Sequence, residues 1–235
     1  MSIALISDIH GNVLALEAVL KDIAVRNISK IINLGDSLYG PLWPQETADI
    51  LISENIESIM GNGDEVLITE PRKTPTIEYT VRYLNTKTFE WLNNLKEIYL
   101  DNDITCFHGS PANKCAYLVE KIENGKVIIK DNTELLKDIE GITTRMIACG
   151  HSHIERIMNV NNKIIINAGS VGLPAYDDTE PTHKMETFNT NAKYIIIDGN
   201  NIEIVFVKYD NEKSAKQAER NGRNDWKNWI LKGRA

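Results

Sequence analysis

The sequence contains few cysteines and no long hydrophobic run, and both shortages exclude classes of protein. Among its 235 residues there are only three cysteines, Cys106, Cys115 and Cys149, and no two of them are spaced as CxxC. An odd number of unpaired cysteines is typical of reduced thiols inside a cell. No apolar segment reaches the roughly 18 to 20 residues that cross a bilayer. The first apolar stretch stops at Asp8 without a basic segment before it, so we predict no signal peptide, a cytoplasmic protein and no membrane partner.

Positive charge is also in short supply. The chain has 26 lysines and arginines against 33 aspartates and glutamates, which gives a net charge of −7. This balance argues against a broad basic footprint for nucleic acid, and we expect no stable nucleic-acid binding. A small phosphorylated or nucleotide substrate remains compatible with this charge, because bound divalent cations would dominate the local field. Nothing in the sequence indicates an oligomeric state.

Repeats, low-complexity tracts and flexible linkers are absent as well, so we predict one domain over residues 1–235 with a helical tail from about residue 212. In the first third, buried-strand patterns alternate three times with helical ones, notably over Val13–Val25 and Pro44–Ser53. This alternation is typical of a parallel α/β sheet.

Further along the chain the pattern changes. We predict helices over residues 76–84 and 88–95, with Thr88 as an N-cap, and a hairpin that turns at residues 101–103. A helix is expected over 115–123, where Asn124-Gly125 would stop it. The last third is rich in strands, apart from a polar loop between residues 175 and 191.

Several predicted strands end on residues that bind metals. Since ligands bind at the carboxyl ends of strands in open α/β sheets, these side chains are expected to converge. Only five histidines exist in the chain, and four of them stand at such ends. Each could singly be a polar loop residue or a satisfied core histidine, but together they favour a two-metal site. The set comprises Asp8, His10, Asp36, Asn62, His108, His151 and His153.

The order and spacing of these motifs resemble the calcineurin-like metallophosphoesterase superfamily. The matching blocks are Asp8-x-His10, Gly35-Asp36, Gly61-Asn62-x-Asp64, His108-Gly109 and Gly150-His151-x-His153. The stretch Asn167 to Pro174 resembles the segment after the site in the small bacterial phosphodiesterases of that superfamily. The resemblance implies an α/β fold of four layers, an αββα sandwich of two mixed β-sheets flanked by helices.

The resemblance also implies roles for individual residues. Asp8, His10 and His153 would bind one metal ion. Asn62, His108 and His151 would bind a second, and Asp36 would bridge the two. Such a pair of cations clamps phosphoryl oxygens and generates a hydroxide that attacks phosphorus. The mixed imidazole, carboxylate and amide ligands favour Mn²⁺, with Fe or Zn²⁺ as alternatives.

One position departs from the superfamily pattern. The third block usually contains a histidine after the asparagine, which is the proposed proton donor to the leaving group, and here that position is Gly63. Loss of a general acid typically costs about 10²- to 10⁴-fold in rate. Leaving groups that depart without a proton tolerate this loss best, which favours aryl phosphodiesters and phosphoanhydrides such as dinucleoside polyphosphates. Gly63 is also expected to leave space beside the metals for a bulkier diester.

Two alternatives remain open. The protein could hydrolyse phosphomonoesters or phosphoproteins, against which Gly63 argues, or it could be a non-catalytic interaction module that retains the fold.

His183, in a polar loop, is the one histidine outside the ligand set. It is a candidate for the missing acid or for a phosphate contact; the alternative is a solvated loop residue. Asp64, without its usual histidine neighbour, is expected to support a metal ligand. The residues assigned to catalysis are Asp36, Asn62, Asp64 and His183.

Overall fold

A computed structural model of the protein describes residues 2–70 and 74–235. Its helices in this part of the chain are α1 (Val13–Val25), α2 (Pro44–Ser53), α3 (Asn62–Thr69), α4 (Pro75–Tyr83), α5 (Thr86–Asn93), α6 (Asn132–Asp138), α7 (Asn211–Arg220) and α8 (Asn224–Lys232). None of these helices is long and apolar enough to cross a membrane.

The strands of residues 2–70 and 74–235 form two five-stranded sheets and two separate hairpins. The first sheet has the order β14-β13-β1-β2-β3, and the second has the order β4-β5-β8-β10-β9. Both are mixed. In the first sheet, β1, β2 and β3 are parallel, and the antiparallel-paired strands β13 and β14 lie on one side of them. In the second sheet, the parallel strands β5, β8 and β10 have an antiparallel strand on each side. The strands are β1 (Ile3–Ile6), β2 (Lys30–Asn33), β3 (Glu57–Ser58), β4 (Ile98–Leu100), β5 (Ile104–Phe107), β6 (Glu120–Glu123), β7 (Lys126–Ile129), β8 (Met146–Cys149), β9 (Arg156–Val160), β10 (Lys163–Asn167), β11 (Ala175–Thr179), β12 (Thr182–Glu186), β13 (Ala192–Asp198) and β14 (Asn201–Val207).

Alternation along the strands builds the layers. Successive side chains of a strand point to opposite faces. In β1, Leu5 belongs to the core between the two sheets, whereas Ile6 packs with Leu16 of α1 on the outer face. In β8, Ile147 packs on the opposite side of the molecule with Leu135 of α6. The order is therefore helix, sheet, sheet, helix, which confirms the predicted four-layer αββα arrangement.

The first two helices begin and end where the sequence predicts. The Asn12 side chain accepts a hydrogen bond from the backbone of Ala15 at 3.4 Å, and Pro44 occupies the first turn of α2. Helix α5 begins earlier than predicted, because Asn85 and not Thr88 is its N-cap. The Thr88 backbone donates to the Asn85 side chain at 2.9 Å.

The helix predicted over residues 115–123 is absent. Residues 120–123 instead form β6, which pairs with β7 in an antiparallel hairpin. Asn124 and Gly125 both have positive φ angles, 52° and 73°. These angles are typical of the two-residue turn that Asn-Gly favours in hairpins. The dipeptide therefore reverses a strand here and does not end a helix.

The polar loop predicted between residues 175 and 191 is largely a second hairpin, β11–β12. Asp178 and His183 are cross-strand neighbours in it. His183 is only 3% exposed, so it is not a solvated loop residue. Beyond the last strand, the predicted helical tail consists of α7 and α8, with Trp226 and Trp229 buried against the rest of the molecule.

Candidate metal centre

Two groups of ligand-type side chains lie close together at the carboxyl ends of the central strands. In each group the candidate ligand atoms are all within 4.8 Å of one another. All six residues follow β1, β2, β5 or β8, so the sheet topology brings them to one edge. The first group is Asp8, His10 and His153, and the second is Asp36, His108 and His151.

Most of these residues have an unusual backbone conformation. Positive φ angles are uncommon outside glycine, and such conformations are typically retained where function requires them. The angles turn the chain sharply after each strand, so that consecutive polar side chains face the same space. The residues concerned are Asp8 (54°), His10 (54°), Asp36 (53°), His151 (67°) and His153 (61°).

In the first group, three atoms with free electron pairs face each other. Nδ1 of His10 donates to the carbonyl of Tyr39 at 2.8 Å, and Nδ1 of His153 donates to that of Leu173 at 2.6 Å. Because a carbonyl only accepts, each neutral imidazole has its free electron pair at Nε2. The two Nε2 atoms are 3.1 Å apart.

The third atom of this group is Oδ1 of Asp8. It lies 3.2 Å from Nε2 of His153 and is buried without a hydrogen-bond partner, while Oδ2 accepts from the backbone of His151 at 3.0 Å. Burial, together with the nearby imidazole of His153, holds the pKa of His10 below its ordinary value. Three converging acceptors in a buried site are the arrangement expected around a cation.

The second group is organised in the same way. Nδ1 of His108 donates to the carbonyl of Leu34 at 2.8 Å, and Nε2 lies 3.0 Å from Oδ1 of Asn62. Asn62, the first residue of α3, therefore joins this group. Burial opposes a charge on His108, but nearby Asp36 outweighs it and raises the pKa of His108 to about 9. The raised pKa means that the site favours a positive charge at the His108 imidazole, and a bound metal cation would supply such a charge.

Asp36 lies between the two groups. Its Oδ1 is 3.5 Å from Nε2 of His108, and its Oδ2 is 3.9 Å from Nε2 of His10. The backbone of Gly63 donates to Oδ1 at 2.7 Å, which fixes the orientation of the carboxylate. Burial opposes ionisation of this group, but His108 and His10 hold the pKa of Asp36 below its ordinary value.

Asp64 is fully buried behind Asp36. Its carboxylate accepts hydrogen bonds from the backbone of Ser37 and of Leu38, each at 3.0 Å. Burial and the charge on Asp36 raise the pKa of Asp64 to about 6. These contacts hold the turn that presents Asp36, so Asp64 contacts the backbone next to a candidate ligand.

The segment after β10 contacts the chain near the first group through Ser170 and Gly172. The Ser170 hydroxyl donates to the Asp8 carbonyl at 2.8 Å, and the Asn12 side chain donates to the Gly172 carbonyl at 2.8 Å. A Cβ at Gly172 would lie 1.8 Å from the carbonyl oxygen of Ile9, so only glycine fits this close approach.

The sequence predicts free space beside Gly63, but there is no room for a Cβ atom on this residue. A Cβ at this position would lie 2.9 Å from Cβ of Tyr39 and 3.0 Å from Oδ1 of Asp36. Distances this short require a neighbour to move. The expectation that Gly63 makes room for a bulkier diester is therefore wrong at this point, because Tyr39 is packed against it.

Aromatic rings surround the imidazoles, and sequence reasoning missed those of Tyr117 and Tyr176. Edge-on and stacked ring contacts of this kind stabilise by about 0.5 to 1.5 kcal/mol beyond burial. Local sequence contains no signal for them, since each ring comes from a distant segment. The contacts are Tyr39 and Trp226 with His10, Tyr117 with His151, and Tyr176 with His153. His183 reaches this ring system through Tyr117.

The chain is similar to known proteins over almost its whole length. An uncharacterised protein of Methanocaldococcus jannaschii is 27% identical over 252 residues, which cover 95% of this chain and 94% of that one. A metallophosphoesterase from Sphaerobacter thermophilus has a TM-score of 0.79 at 22% identity and covers 99% of this chain and 100% of its own. A hypothetical protein from Pyrococcus horikoshii OT3 has the same TM-score at 18% identity, covering 99% of this chain and 98% of its own.

The family model described as the calcineurin-like phosphoesterase superfamily domain matches residues 1–193. This match spans both sheets up to β13 and contains all the candidate ligands, and it confirms the resemblance inferred from the sequence motifs. The chain belongs to the calcineurin-like phosphoesterase superfamily.

Proposed function

We propose that the protein is a phosphoesterase that uses two metal ions to hydrolyse phosphodiester or nucleotide phosphoanhydride bonds. Aryl diesters and dinucleoside polyphosphates are the substrate classes proposed. The observation that carries the proposal is the position of Asp36, whose two carboxylate oxygens face different ligand groups. A residue placed in this way can bridge two cations.

The proposed ligands follow from the two groups. Asp8, His10 and His153 would hold one ion. His108 and His151 would hold the other together with Asn62, and Asp36 would contact both. Mn²⁺ is the metal proposed, with Fe or Zn²⁺ as alternatives, because the donors mix imidazole, carboxylate and amide. When bound, such ions supply Lewis acidity that polarises a phosphoryl group and activates water.

The protein's own residues then orient the site. The backbone of Gly63 fixes Asp36, and Asp64 holds the turn behind it. Backbone carbonyls hold the imidazoles of His10, His108 and His153 through Nδ1, which leaves each Nε2 directed at the site. Such supporting contacts typically change metal affinity or activity by 10- to 100-fold when they are removed.

Substrate class follows from the residue at position 63. Glycine carries no proton donor, so a good leaving group is needed. Aryl oxides and nucleotide phosphates meet this need far better than a serine alkoxide. This reasoning supports diesters and anhydrides over phosphoproteins.

The test is turnover of an aryl phosphodiester by the full chain, with and without added Mn²⁺. We expect metal-dependent hydrolysis that is lost in Asp36→Asn and retained in Asp49→Asn, an exposed aspartate on α2. Absence of turnover with Mn²⁺, Fe²⁺ or Zn²⁺ in folded protein would overturn the proposal.

Two further results would favour the alternatives. Faster hydrolysis of monoesters than of diesters at equal metal loading would indicate a phosphomonoesterase. Protein that purifies without metal and is equally stable after chelation would indicate a non-catalytic module. The cytoplasmic location and one-domain organisation stay predictions; the free thiols of Cys106, Cys115 and Cys149 are compatible with the former.

A further inference from the structure

Two tyrosine rings lie against the candidate ligands of the His151-Ser152-His153 turn. The ring of Tyr117 stacks on that of His151, with centroids 4.9 Å apart and planes at 28°. The ring of Tyr176 meets that of His153 edge-on at 4.6 Å. His151 and His153 belong to different ligand groups, so the two tyrosines contact both groups.

The hydroxyl groups of the two tyrosines form a hydrogen-bonded chain. The two oxygens are 2.7 Å apart, and the Tyr176 hydroxyl donates to the backbone carbonyl of His151 at 3.0 Å. The Tyr117 hydroxyl is also 2.8 Å from Nε2 of His183. One chain of contacts therefore runs from the hairpin β11–β12 to the turn that carries two candidate ligands.

His183 anchors the outer end of this chain. Its Nδ1 donates to the carbonyl of Pro181 at 2.6 Å, so both ring nitrogens are in use. The side chain is buried, with 3% exposure. Neither nitrogen is free to face a substrate, which argues against proton donation to a leaving group.

The turn needs such support. His151 and His153 have φ angles of 67° and 61°. This conformation is sterically unfavourable for a residue with a side chain. The hydrogen bond from Tyr176 to the His151 carbonyl and the two ring contacts favour this conformation over relaxed ones. Without them, both imidazoles would spend less time directed at the metal positions.

We propose that His183 is a positioning residue that acts through Tyr117 and Tyr176 to hold His151 and His153 in the geometry that binds metal. The inference rests on the proposed function, since it concerns the same site. It assigns to His183 the support of two ligands in place of direct contact with substrate.

The test is calorimetric titration of the metal-free chain of residues 1–235 with Mn²⁺. Tyr117→Phe and Tyr176→Phe keep the rings and remove one hydroxyl each, and His183→Ala removes the anchor. Each variant is expected to bind Mn²⁺ about 10- to 100-fold more weakly than the wild type. Tyr99→Phe is the matched control, because its hydroxyl bonds Asp101 on the edge of the second sheet, and it should bind with wild-type affinity.

Turnover separates positioning from proton donation. If His183 positions ligands, saturating Mn²⁺ should restore most of the activity of His183→Ala. His183→Gln, which keeps a polar group toward Tyr117, should recover part of the Mn²⁺ affinity. A His183→Ala variant with wild-type affinity, or with activity lost at saturating metal while affinity is unchanged, would overturn the proposal.

Thermal melting of the metal-free variants checks for unfolding. If His183→Ala does not fold, the two tyrosine variants decide, and wild-type Mn²⁺ affinity in both overturns the proposal. Failure of the proposed function has a different signature, namely a wild type that binds two metal ions and hydrolyses no phosphate ester.

Discussion

Gly63 and Tyr39 lie so close that a Cβ on residue 63 would be 2.9 Å from Cβ of Tyr39. The position where the superfamily often has a histidine is thus closed by a tyrosine from the loop after β2. Glycine at position 63 and the tyrosine packed against it are therefore linked features of one site. Restoring the histidine alone should therefore not restore its chemistry.

Gly63→His is expected to destabilise the protein by about 1 to 3 kcal/mol, because overpacking forces neighbours to move. Because the contact is with Cβ of Tyr39, only glycine at position 39 removes it. Gly63→His should therefore cost less stability when introduced into Tyr39→Gly than when introduced into the wild type. If the added imidazole then reaches the leaving group, monoester turnover should rise in the double variant only. Urea unfolding and the monoester kcat/KM measure both effects, and a single variant with wild-type stability would contradict the packing argument.

Asp36→Asn is expected to reduce the bound metal from two ions to one or none and to lower kcat by at least about 100-fold. The amide loses the charge that faces both groups, and metal-based stabilisation of several kcal/mol corresponds to such a factor. Elemental analysis and steady-state kinetics give the two values. Asp49→Asn, on the exposed side of α2, should change neither; two tightly bound ions in Asp36→Asn would disprove the bridging assignment.

Metal removal is expected to lower the free energy of unfolding. A ligand that binds only the folded state stabilises it by about 2.7 kcal/mol at a concentration 100 times Kd. The ligand atoms Asp8 Oδ1, His10 Nε2 and His153 Nε2 lie together only in the folded chain, so an ion held by them would favour the folded state. Urea midpoints in Mn²⁺ and in EDTA should therefore differ, and Asp36→Asn should reduce the difference. Equal midpoints would speak against a metal centre.

Trp226→Ala is expected to cost about 3 to 5 kcal/mol, the usual range for a buried tryptophan. Trp226 is 2% exposed and meets the ring of His10 at 5.7 Å. It lies beyond the family match, so the variant tests whether α8 supports the metal centre. Mn²⁺ affinity should fall together with the melting temperature. Phe206→Ala, at a residue that is 46% exposed, should cost clearly less stability and leave Mn²⁺ affinity unchanged.

Asp101→Asn is expected to destabilise the protein at pH 7 and much less near pH 3. Burial opposes the charge, but the Asp103 backbone and Lys30 lower the pKa of Asp101 from 3.8. An acid whose folded pKa is depressed stabilises the fold above its unfolded value and loses this effect as the pH falls through the folded pKa. We expect a cost of about 0.5 to 1 kcal/mol at pH 7, since the pair is partly exposed.

Urea unfolding of Asp101→Asn and wild type at the two pH values measures this difference. Asp103→Asn, at the exposed neighbouring position, is the control. A cost that is equal at pH 7 and pH 3 would mean that charge plays no part.

Much of the fold could be predicted because it depends on local pattern. The helical patterns of α1 and α2 predicted the first and last residue of each helix correctly. A carboxylate or an imidazole directly after a buried strand indicated the site. Prediction failed where a local signal had two meanings. Asn124-Gly125 can end a helix or turn a hairpin, and only the pairing of β6 with β7 decides between them.

The sequence alone determined the identity and order of the candidate metal ligands, because strand ends and ligand-type side chains can be recognised within a few positions. Tertiary structure decided what surrounds them. Tyr117 and His183 are 66 positions apart, yet they lie 2.8 Å from each other beside the same turn. Trp226 reaches His10 from the last helix. Such contacts arise from the packing of whole layers, and therefore no local period or motif predicts them.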